Sequence, residues 1–131
     1  MNRLVIFLVS FGISNIVFAD WVEVANHEHG MTFYVDKESI RVGEKEHRLF
    51  ARVKMDNASV PIQHWEKTIY TMEEFDCSMK RSRLLDVLSE YYDFTKDKTW
   101  RETEVVSDKD WKYPMPGSIG NALLNFVFSI G

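Results

Sequence analysis

The chain has 131 residues, of which 45% are hydrophobic and 14% aromatic, and its 16 basic and 20 acidic side chains give a net charge of −4 at pH 7. This slightly acidic balance argues against a general nucleic-acid-binding protein, which needs a strongly basic face. Neither an internal repeat nor a low-complexity tract is present.

Residues 1–19 have the pattern of a secretory signal peptide. Arg3 supplies the positive end, residues 4–13 form a mainly apolar core, and residues 17–19 place small side chains at the third and first positions before a cut. The apolar run is shorter than the roughly 20 residues that a membrane-spanning helix needs. We therefore expect cleavage at the end of this signal.

Cleavage would leave Asp20 or Trp21 as the new N-terminus. The remaining single domain, residues 20–131, is large enough for one core and too small for two. Because cleavage removes Arg3, the net charge of the product becomes −5. No second apolar segment of spanning length follows. We expect an exported product without a transmembrane segment, located in the periplasm, on the cell surface or in the medium.

The first half of this domain predicts β-strands. Residues 21–27 and 31–36 flank a short loop that contains Gly30, which predicts a hairpin. Residues 36–40 are expected to make one helical turn capped by an aspartate. Residues 47–57 alternate clearly, which is typical of a strand with one covered and one wet face. The side chains predicted for its covered face are Leu49, Ala51, Val53 and Met55.

The second half is less regular. Residues 64–93 contain neither glycine nor proline. Their leucines and Val87 fit one face of a helix, but the recurrence of Thr, Ile, Tyr and Phe favours two antiparallel strands with a turn near residues 78–80. Residues 98–108 predict a further strand. In residues 116–131 the apolar spacing becomes helical, with Ser118 as the N-cap.

The fold class predicted from these elements is α+β. It consists of a mainly antiparallel sheet of about six strands with one C-terminal helix packed against it. The helix would cover the apolar face of the sheet. Because Leu124 and Phe128 widen the apolar stripe of the helix, we expect it to be buried on more than one side.

The candidate metal and catalytic motifs are weak. His27 and His29 stand two residues apart, as two zinc ligands on one strand would, but no third ligand follows at an informative spacing. His47 and His64 are isolated. The chain also lacks a nucleophile elbow, a phosphate-binding glycine loop and a paired CxxC motif. We expect no enzyme, no metal site and no cofactor.

Three carboxylates and the single cysteine stand close together. Glu73, Glu74 and Asp76 would need separated environments in a cleft to act as an acid–base pair, and a wet strand face is the simpler expectation. Cys77 would need a neighbouring base and an exposed thiolate to act as a nucleophile. We expect it instead to be buried and unreactive.

Basic residues cluster at residues 80–83, KRSR. Together with Lys67, Arg48 and Arg52 they can form a basic face that binds acidic host or matrix surfaces. The alternative is a solvated sheet face without a partner. For the binding hypothesis, the first residues to test are Lys67, Lys80, Arg81 and Arg83.

Six landmarks run along the whole mature chain. They are Trp21, FYVDKESI (33–40), the charged strand 47–55, YTMEEFDC (70–77), LSEYYD (88–93) and DWKYPMPGSIGNALLNFV (110–127). In order and spacing these landmarks resemble the surface-adhesin protein E family of Gram-negative bacteria. The resemblance implies a six-stranded antiparallel sheet with a helix against it, and a location in the bacterial envelope or outside the cell.

The resemblance also implies protein partners. The best-known family member is a surface lipoprotein that binds host laminin, vitronectin and plasminogen, and it can dimerise. We therefore expect an exported, non-enzymatic binding protein that resembles a surface adhesin for host matrix or plasma proteins, and a homodimer is implied as well. The alternative function is that of a periplasmic structural or inhibitory protein, which would bind a bacterial partner through a sheet edge or the uncovered sheet face.

Two features depart from the family pattern. In the family, a cysteine at the DC position commonly pairs with one near the C-terminal end of the chain. The resemblance thus implies a structural role for Cys77, but its expected partner position falls around Val127–Phe128, where the side chains are apolar. We expect packing of the helix to replace this bridge. We also expect no lipid anchor, because neither Asp20 nor Trp21, the residues directly after the predicted cut, is a cysteine.

Overall fold

The computed structural model describes residues 19–26, 30–45, 47–56 and 65–130, and at Trp65 the backbone only. Its elements are, in chain order, β1 (Trp21–Asn26), β2 (Thr32–Val42), β3 (Arg48–Asp56), β4 (Trp65–Asp76), β5 (Arg81–Asp93), β6 (Lys98–Glu104) and the helix α1 (Ile119–Ile130). Each strand pairs antiparallel with the next one, so the sheet order is the chain order. The predicted fold class is confirmed. Residues 1–18 of the predicted signal peptide, together with His27, His29 and His64, lie outside the described residues.

The core lies between α1 and one face of the sheet, because successive side chains of a strand point to opposite faces. The buried apolar side chains are Val35, Leu49, Ala51, Val53 and Phe75 from the sheet and Leu123, Leu124 and Val127 from the helix. We call this side of the sheet the helix face. The alternation predicted for β3 is confirmed by its three buried residues. The opposite side, which carries Arg48, Phe50 and Arg52, is the outer face.

The helix begins as its sequence predicts. The hydroxyl of Ser118 accepts a hydrogen bond from the N–H of Asn121 at 3.2 Å, which is the contact an N-cap makes. Gly117 precedes it with a φ of 83°, a left-handed conformation that glycine adopts without steric cost. Phe126 and Phe128 add partly buried rings to the core. Among the described residues, no helix reaches the length and apolarity that crossing a membrane requires.

The turns after β4 and β5 are built in the same way. The carboxylate of Asp76 accepts hydrogen bonds from the N–H and the hydroxyl of Ser78, at 3.1 and 2.8 Å. Asp93 binds Thr95 likewise, at 2.9 and 2.7 Å. Such side-chain bonds replace backbone partners that a tight turn cannot supply. The residues that close the turns have positive φ angles: Lys80 (52°) and Asp97 (48°). The prediction of two strands over residues 64–93 is confirmed.

The helical turn predicted over residues 36–40 is wrong. The register between β2 and β3 shifts between Asp36 and Arg41, so these residues form a bulge inside β2. The hydroxyl of Ser39 donates to the carbonyl of Asp36 at 2.7 Å and accepts the N–H of Arg52 at 2.8 Å. The serine therefore bridges the bulge to the next strand, and the chain stays in the sheet.

The last strand is shorter than predicted, because β6 ends at Glu104 and not at residue 108. The chain then continues beside β5. There Lys112 and Ser82 exchange backbone hydrogen bonds of 2.7 and 2.9 Å. This isolated bridge holds the neighbouring Trp111 against the sheet.

Candidate functional site

Five charged side chains of the outer face lie together on three adjacent strands. Arg48 of β3 stands opposite Asp76 of β4, and Asp76 in turn stands opposite Arg81 of β5. Glu74 and Arg83 form the next opposed pair of β4 and β5. Because directly opposed residues have Cβ atoms about 5 Å apart, the register alone brings these charges into contact range.

The two carboxylates are buried, and arginines surround them. Glu74 is 4% exposed and Asp76 is 2% exposed. Arg83 donates to Glu74 at 2.8 Å, and the Nε of Arg81 donates to Asp76 at 2.9 Å. Arg48 lies between them, at 3.7 Å from Glu74 and 3.8 Å from Asp76. The guanidinium groups supply the opposite charge and the hydrogen-bond donors that a buried carboxylate needs.

The same three arginines surround one indole ring. The Cζ atoms of Arg81, Arg83 and Arg48 lie 4.2, 4.4 and 5.0 Å from the ring centroid of Trp111. A guanidinium group can stack on an aromatic face and still use its in-plane N–H groups to bind a carboxylate. We call these residues the arginine–tryptophan cluster: Arg48, Glu74, Asp76, Arg81, Arg83 and Trp111.

The surroundings of Asp76 favour its ionised form. Burial by itself would raise the pKa of Asp76, but hydrogen bonds from Ser78, Arg81 and the N–H of Met79, together with the charge of Arg81, hold the pKa below its ordinary 3.8. An acid–base catalyst needs a pKa near the working pH instead. At their formal charges, the three arginines and two carboxylates give the cluster one net positive charge.

A pocket of about 410 Å³ adjoins the cluster on the outer face. Arg48, Glu74 and Arg83 line one part of it, and its apolar lining includes Val42, Phe50 and Leu85. Further lining comes from the β2–β3 hairpin: Gly43, Glu44 and Lys45. Val42 is 79% exposed, so the rim of this pocket presents an apolar side chain to solvent.

The four basic residues predicted to bind a ligand do not form one surface. Arg81 and Arg83 lie together in the cluster. Lys80 is exposed in the turn after β4. Lys67 points to the helix face, where its ammonium group lies 5.4 Å from the ring centroid of Tyr91. A shared basic face of all four is wrong, because Lys67 alternates with the outer-facing residues of β4.

Sequence reasoning missed the central residue of the cluster, Trp111, and the pairing of Glu74 and Asp76 with arginines. The period-two alternation of β3 does place Arg48 on the outer face. The alternation of β4 places Glu74 and Asp76 on one face, and a correct register with β3 and β5 would have paired them. No sequence signal ties Trp111 to them, because it lies outside the regular strands.

Cys77 is exposed, so the expectation that it is buried is wrong. It lies in the turn after β4, where its N–H donates to the carbonyl of His47 at 2.8 Å. No disulfide is present among the described residues. Val127 is fully buried in the core, and Phe128 packs against it. Apolar packing of α1 is thus observed, and the structural role of Cys77 stays a prediction.

Glu73 is separated from the other two carboxylates, because it points to the helix face. It lines a cavity of about 160 Å³ with Phe33, Val53, Met55, Ile69, Thr71 and Leu123. Burial raises the pKa of Glu73 above its ordinary 4.5, and the hydrogen bond from the Thr71 hydroxyl at 2.9 Å opposes this only in part. The ionised side chain is therefore held in an unfavourable apolar setting.

Glu73→Gln is expected to stabilise the protein at pH 7.5 by roughly 1–2 kcal/mol, because it removes a charge from an apolar setting and keeps an acceptor for Thr71. A carboxyl group with a raised folded-state pKa favours folding below its unfolded pKa and loses this effect as the pH rises through the folded-state pKa. The gain should therefore vanish near pH 4. Urea unfolding at both pH values measures it, with the exposed Glu102→Gln as the control; an equal gain at pH 4 would contradict the assignment.

The described residues contain no group of three or more His, Cys, Asp and Glu side chains that is placed to hold a metal ion. In the cluster, guanidinium groups already contact oxygens of Glu74 and Asp76 that a metal ion would need as ligands. What the outer face offers is planar cations, an indole ring and an apolar rim. Arginine and aromatic side chains are enriched where protein surfaces bind each other.

Comparison with known proteins agrees with this architecture. A family model described as "Surface-adhesin protein E" matches residues 21–127. No curated protein sequence matches the chain. The chain is similar to a structure of Haemophilus influenzae protein E, with a TM-score of 0.58, 12% identity and 87% of each chain covered. It is also similar to crystal form II of that protein, with a TM-score of 0.59, 12% identity, and 87% of this chain and 91% of the other covered. At this identity the structures show a shared fold alone. The family model, however, spans most of the sequence, and the chain therefore belongs to the surface-adhesin protein E family.

Proposed function

We propose that this protein is an exported, non-enzymatic adhesin that binds host matrix or plasma proteins through its outer face. The observation that carries the proposal is the arginine–tryptophan cluster beside a pocket with an apolar rim. Membership of the surface-adhesin protein E family supports a surface location and a binding role.

The composition of the outer face suits a protein partner. Arg and Trp are enriched among the residues that contribute most to protein–protein binding. In the cluster Arg81 and Arg83 are ordered before any partner arrives, because each lies over the ring of Trp111 and hydrogen-bonds a carboxylate at once. Preorganised side chains lose less conformational entropy on binding. The apolar rim at Val42 then supplies surface whose burial favours association.

The candidate ligands are laminin, vitronectin and plasminogen, which the family resemblance suggests. An acidic segment of such a ligand would meet the net positive charge of the cluster, and its apolar side chains would fill the neighbouring pocket. The contact is expected to weaken with salt, because exposed charges are screened within about 8 Å at physiological ionic strength. Arg81 and Arg83 belong to this surface, whereas Lys67 does not.

The direct test is a double substitution at the pocket, Val42→Asp with Lys45→Glu. Both residues are exposed, so the fold should be unaffected. The control is Val105→Asp with Lys109→Glu, which makes the same chemical changes at exposed positions outside the pocket; Val105 is 95% exposed. Binding to immobilised laminin, vitronectin and plasminogen should fall at least about tenfold for the pocket variant, which corresponds to 1.4 kcal/mol.

Equal affinities for the two double variants would contradict the proposed surface. If the unchanged protein bound none of the three ligands, the adhesin proposal itself would fail. Reversing the charge of Arg81 or Arg83 is a poorer test, because it would place an acid against a buried carboxylate and destabilise the fold.

The alternative function, a periplasmic structural or inhibitory protein, has one observation in its favour. All seven residues of the edge strand β6 are exposed, so its outward backbone groups could pair with another strand. A bacterial partner or a second copy of this chain would fit there. Fractionation of the native cells separates the two functions: surface exposure supports adhesion, and strict periplasmic retention supports the alternative.

A further inference from the structure

A buried carboxylate lies next to the start of the sheet. Asp36 of β2 is only 1% exposed, and three groups of the described residues donate hydrogen bonds to its carboxylate. Its Oδ2 accepts a hydrogen bond from Nη2 of Arg52 at 2.6 Å. Its Oδ1 accepts the N–H of Glu38 at 3.1 Å and the N–H of Asp20 at 2.9 Å. The backbone nitrogen of residue 20 is therefore one of the groups that holds this charge.

Asp20 also contacts the neighbouring strand β2, directly before β1 begins at Trp21. The carbonyl of Asp20 accepts the N–H of Lys37 at 3.0 Å, and its side chain lies 3.4 Å from the ammonium group of Lys37. Ala19 is exposed. The Ala19–Asp20 peptide bond thus lies just before β1, and its nitrogen donates to the buried carboxylate of Asp36. This is also the bond at which the sequence predicts one of two cuts.

We propose that export processing hydrolyses the Ala19–Asp20 bond, and that the new α-ammonium group of Asp20 binds Asp36 and stabilises the mature fold. Hydrolysis adds one water across the amide: the carboxylate stays on Ala19, and the amine of Asp20 takes up a proton. The neutral N–H donor seen at 2.9 Å becomes a cationic donor at the same place. A cut after Asp20, leaving Trp21 first, would remove this donor.

The physical effect follows from the change in charge. The hydrogen bond from the Asp20 N–H is already charge-assisted, because its acceptor is a carboxylate. Cleavage adds the attraction between an ammonium group and a carboxylate at the same short distance. The pKa of Asp36 is already low: burial raises it, but the hydrogen bonds from Asp20, Arg52 and Glu38 and the charge of Arg52 more than offset this. The carboxylate is thus ionised at neutral pH and ready to pair with an ammonium group. Other charged or titratable groups near this end of the chain are Lys37, Arg52, Tyr70, Glu90 and Arg101.

The stability that the α-ammonium group of Asp20 adds should depend on pH. An ammonium group beside a buried carboxylate has a raised folded-state pKa, against about 7.7–8.0 for a free α-amine. Its contribution to stability is complete below the unfolded pKa and is lost as the pH rises through the folded-state pKa. The mature chain should therefore lose stability in mildly alkaline solution, and a chain without this amine should not.

The test compares three forms of the protein: residues 20–131 with a free amine, the same chain acetylated at Asp20, and a chain that begins at Ala19. All sheet and helix contacts described above lie within these chains. At pH 6.5 the unfolding constant of the free-amine form is expected to be about tenfold smaller than that of the other two, the effect of raising the pKa of the amine by about one unit on folding. The difference should close above the folded-state pKa of the amine.

Equal unfolding constants at pH 6.5 would overturn the proposal. An NMR titration of the α-amine gives a second readout that needs no substitution, and an unshifted pKa there would also overturn it. Mass spectrometry of the full chain exported from its native cells should give a product that begins at Asp20; one that begins at Trp21 would contradict it. Because none of these measurements involves a ligand, their outcome is independent of the adhesin proposal.

Discussion

Replacing Asp76 by alanine is expected to lower the free energy of unfolding by about 3–5 kcal/mol, the usual cost of removing one partner from a buried ion pair. Arg81 and Arg48 would lose a counter-charge while Trp111 still restrains them. The turn after β4 would also lose the hydrogen bonds that Ser78 donates. Both losses act on the same two strands, so their effects should reinforce each other.

Asp76→Asn separates charge from shape at this position. The folded-state pKa of Asp76 is lowered from 3.8, so the stability due to its charge is complete above about pH 4 and is lost as the pH falls through that lowered pKa. The asparagine variant should be less stable than the unchanged protein at pH 7. The difference should shrink as the pH falls below 4, because Asp76 is protonated first in the unfolded chain and then, at its lowered pKa, in the folded protein.

Urea unfolding followed by tryptophan fluorescence measures both variants. The control is Asp86→Ala, an exposed carboxylate on the neighbouring β5, which should change stability by less than about 0.5 kcal/mol. If Asp76→Ala matched this control, the ion pair with Arg81 would contribute nothing to stability. A difference between Asp76→Asn and the unchanged protein that persisted unaltered at low pH would show that charge is not the cause.

Replacing Leu124 by alanine is expected to cost about 2–5 kcal/mol, the range for truncating a buried leucine. Leu124 is buried in the core beside Leu123 and Val127, on a helix that no disulfide fastens to the sheet among the described residues. Packing must then supply what a crosslink would contribute, typically about 2–4 kcal/mol. Loss of one of the three buried side chains should therefore loosen the whole helix.

Thermal unfolding and hydrogen exchange of the helix amides test this second prediction. Asn125→Ala is the matched control, because Asn125 is exposed on the same helix. The alanine at position 124 should speed amide exchange in α1 well beyond any change in β3 and β4. A small loss of stability spread evenly over the protein would contradict a helix held by its apolar stripe alone.

Membership of the adhesin family and the geometry of the outer face address different questions. The family match accounts for the fold and for the class of function. It does not say which surface binds, since the similar structures share only 12% identity with the chain. The arginine–tryptophan cluster supplies a specific surface, and the pocket variants decide whether that surface is the one in use.

The sequence by itself determined the elements whose signals are local. The alternation of β3 identified Leu49, Ala51 and Val53 as core, and the helical spacing after Ser118 identified α1. Side chains of one strand or one helix share a face because of backbone geometry alone, so no information from distant residues is needed. The two-strand interpretation of residues 64–93 succeeded for a similar reason, since β-branched and aromatic side chains favour a pleated surface.

Only the tertiary structure decided which side chains meet across strands. Arg48, Asp76 and Trp111 are far apart in the chain, and they come together through the registers of three strands and one isolated bridge. A shift of one residue would send the same side chains to the other face. The bulge after Asp36 and the position of the turn that carries Cys77 also depend on hydrogen bonds to distant residues. Local patterns specify faces, and long-range pairing specifies the site.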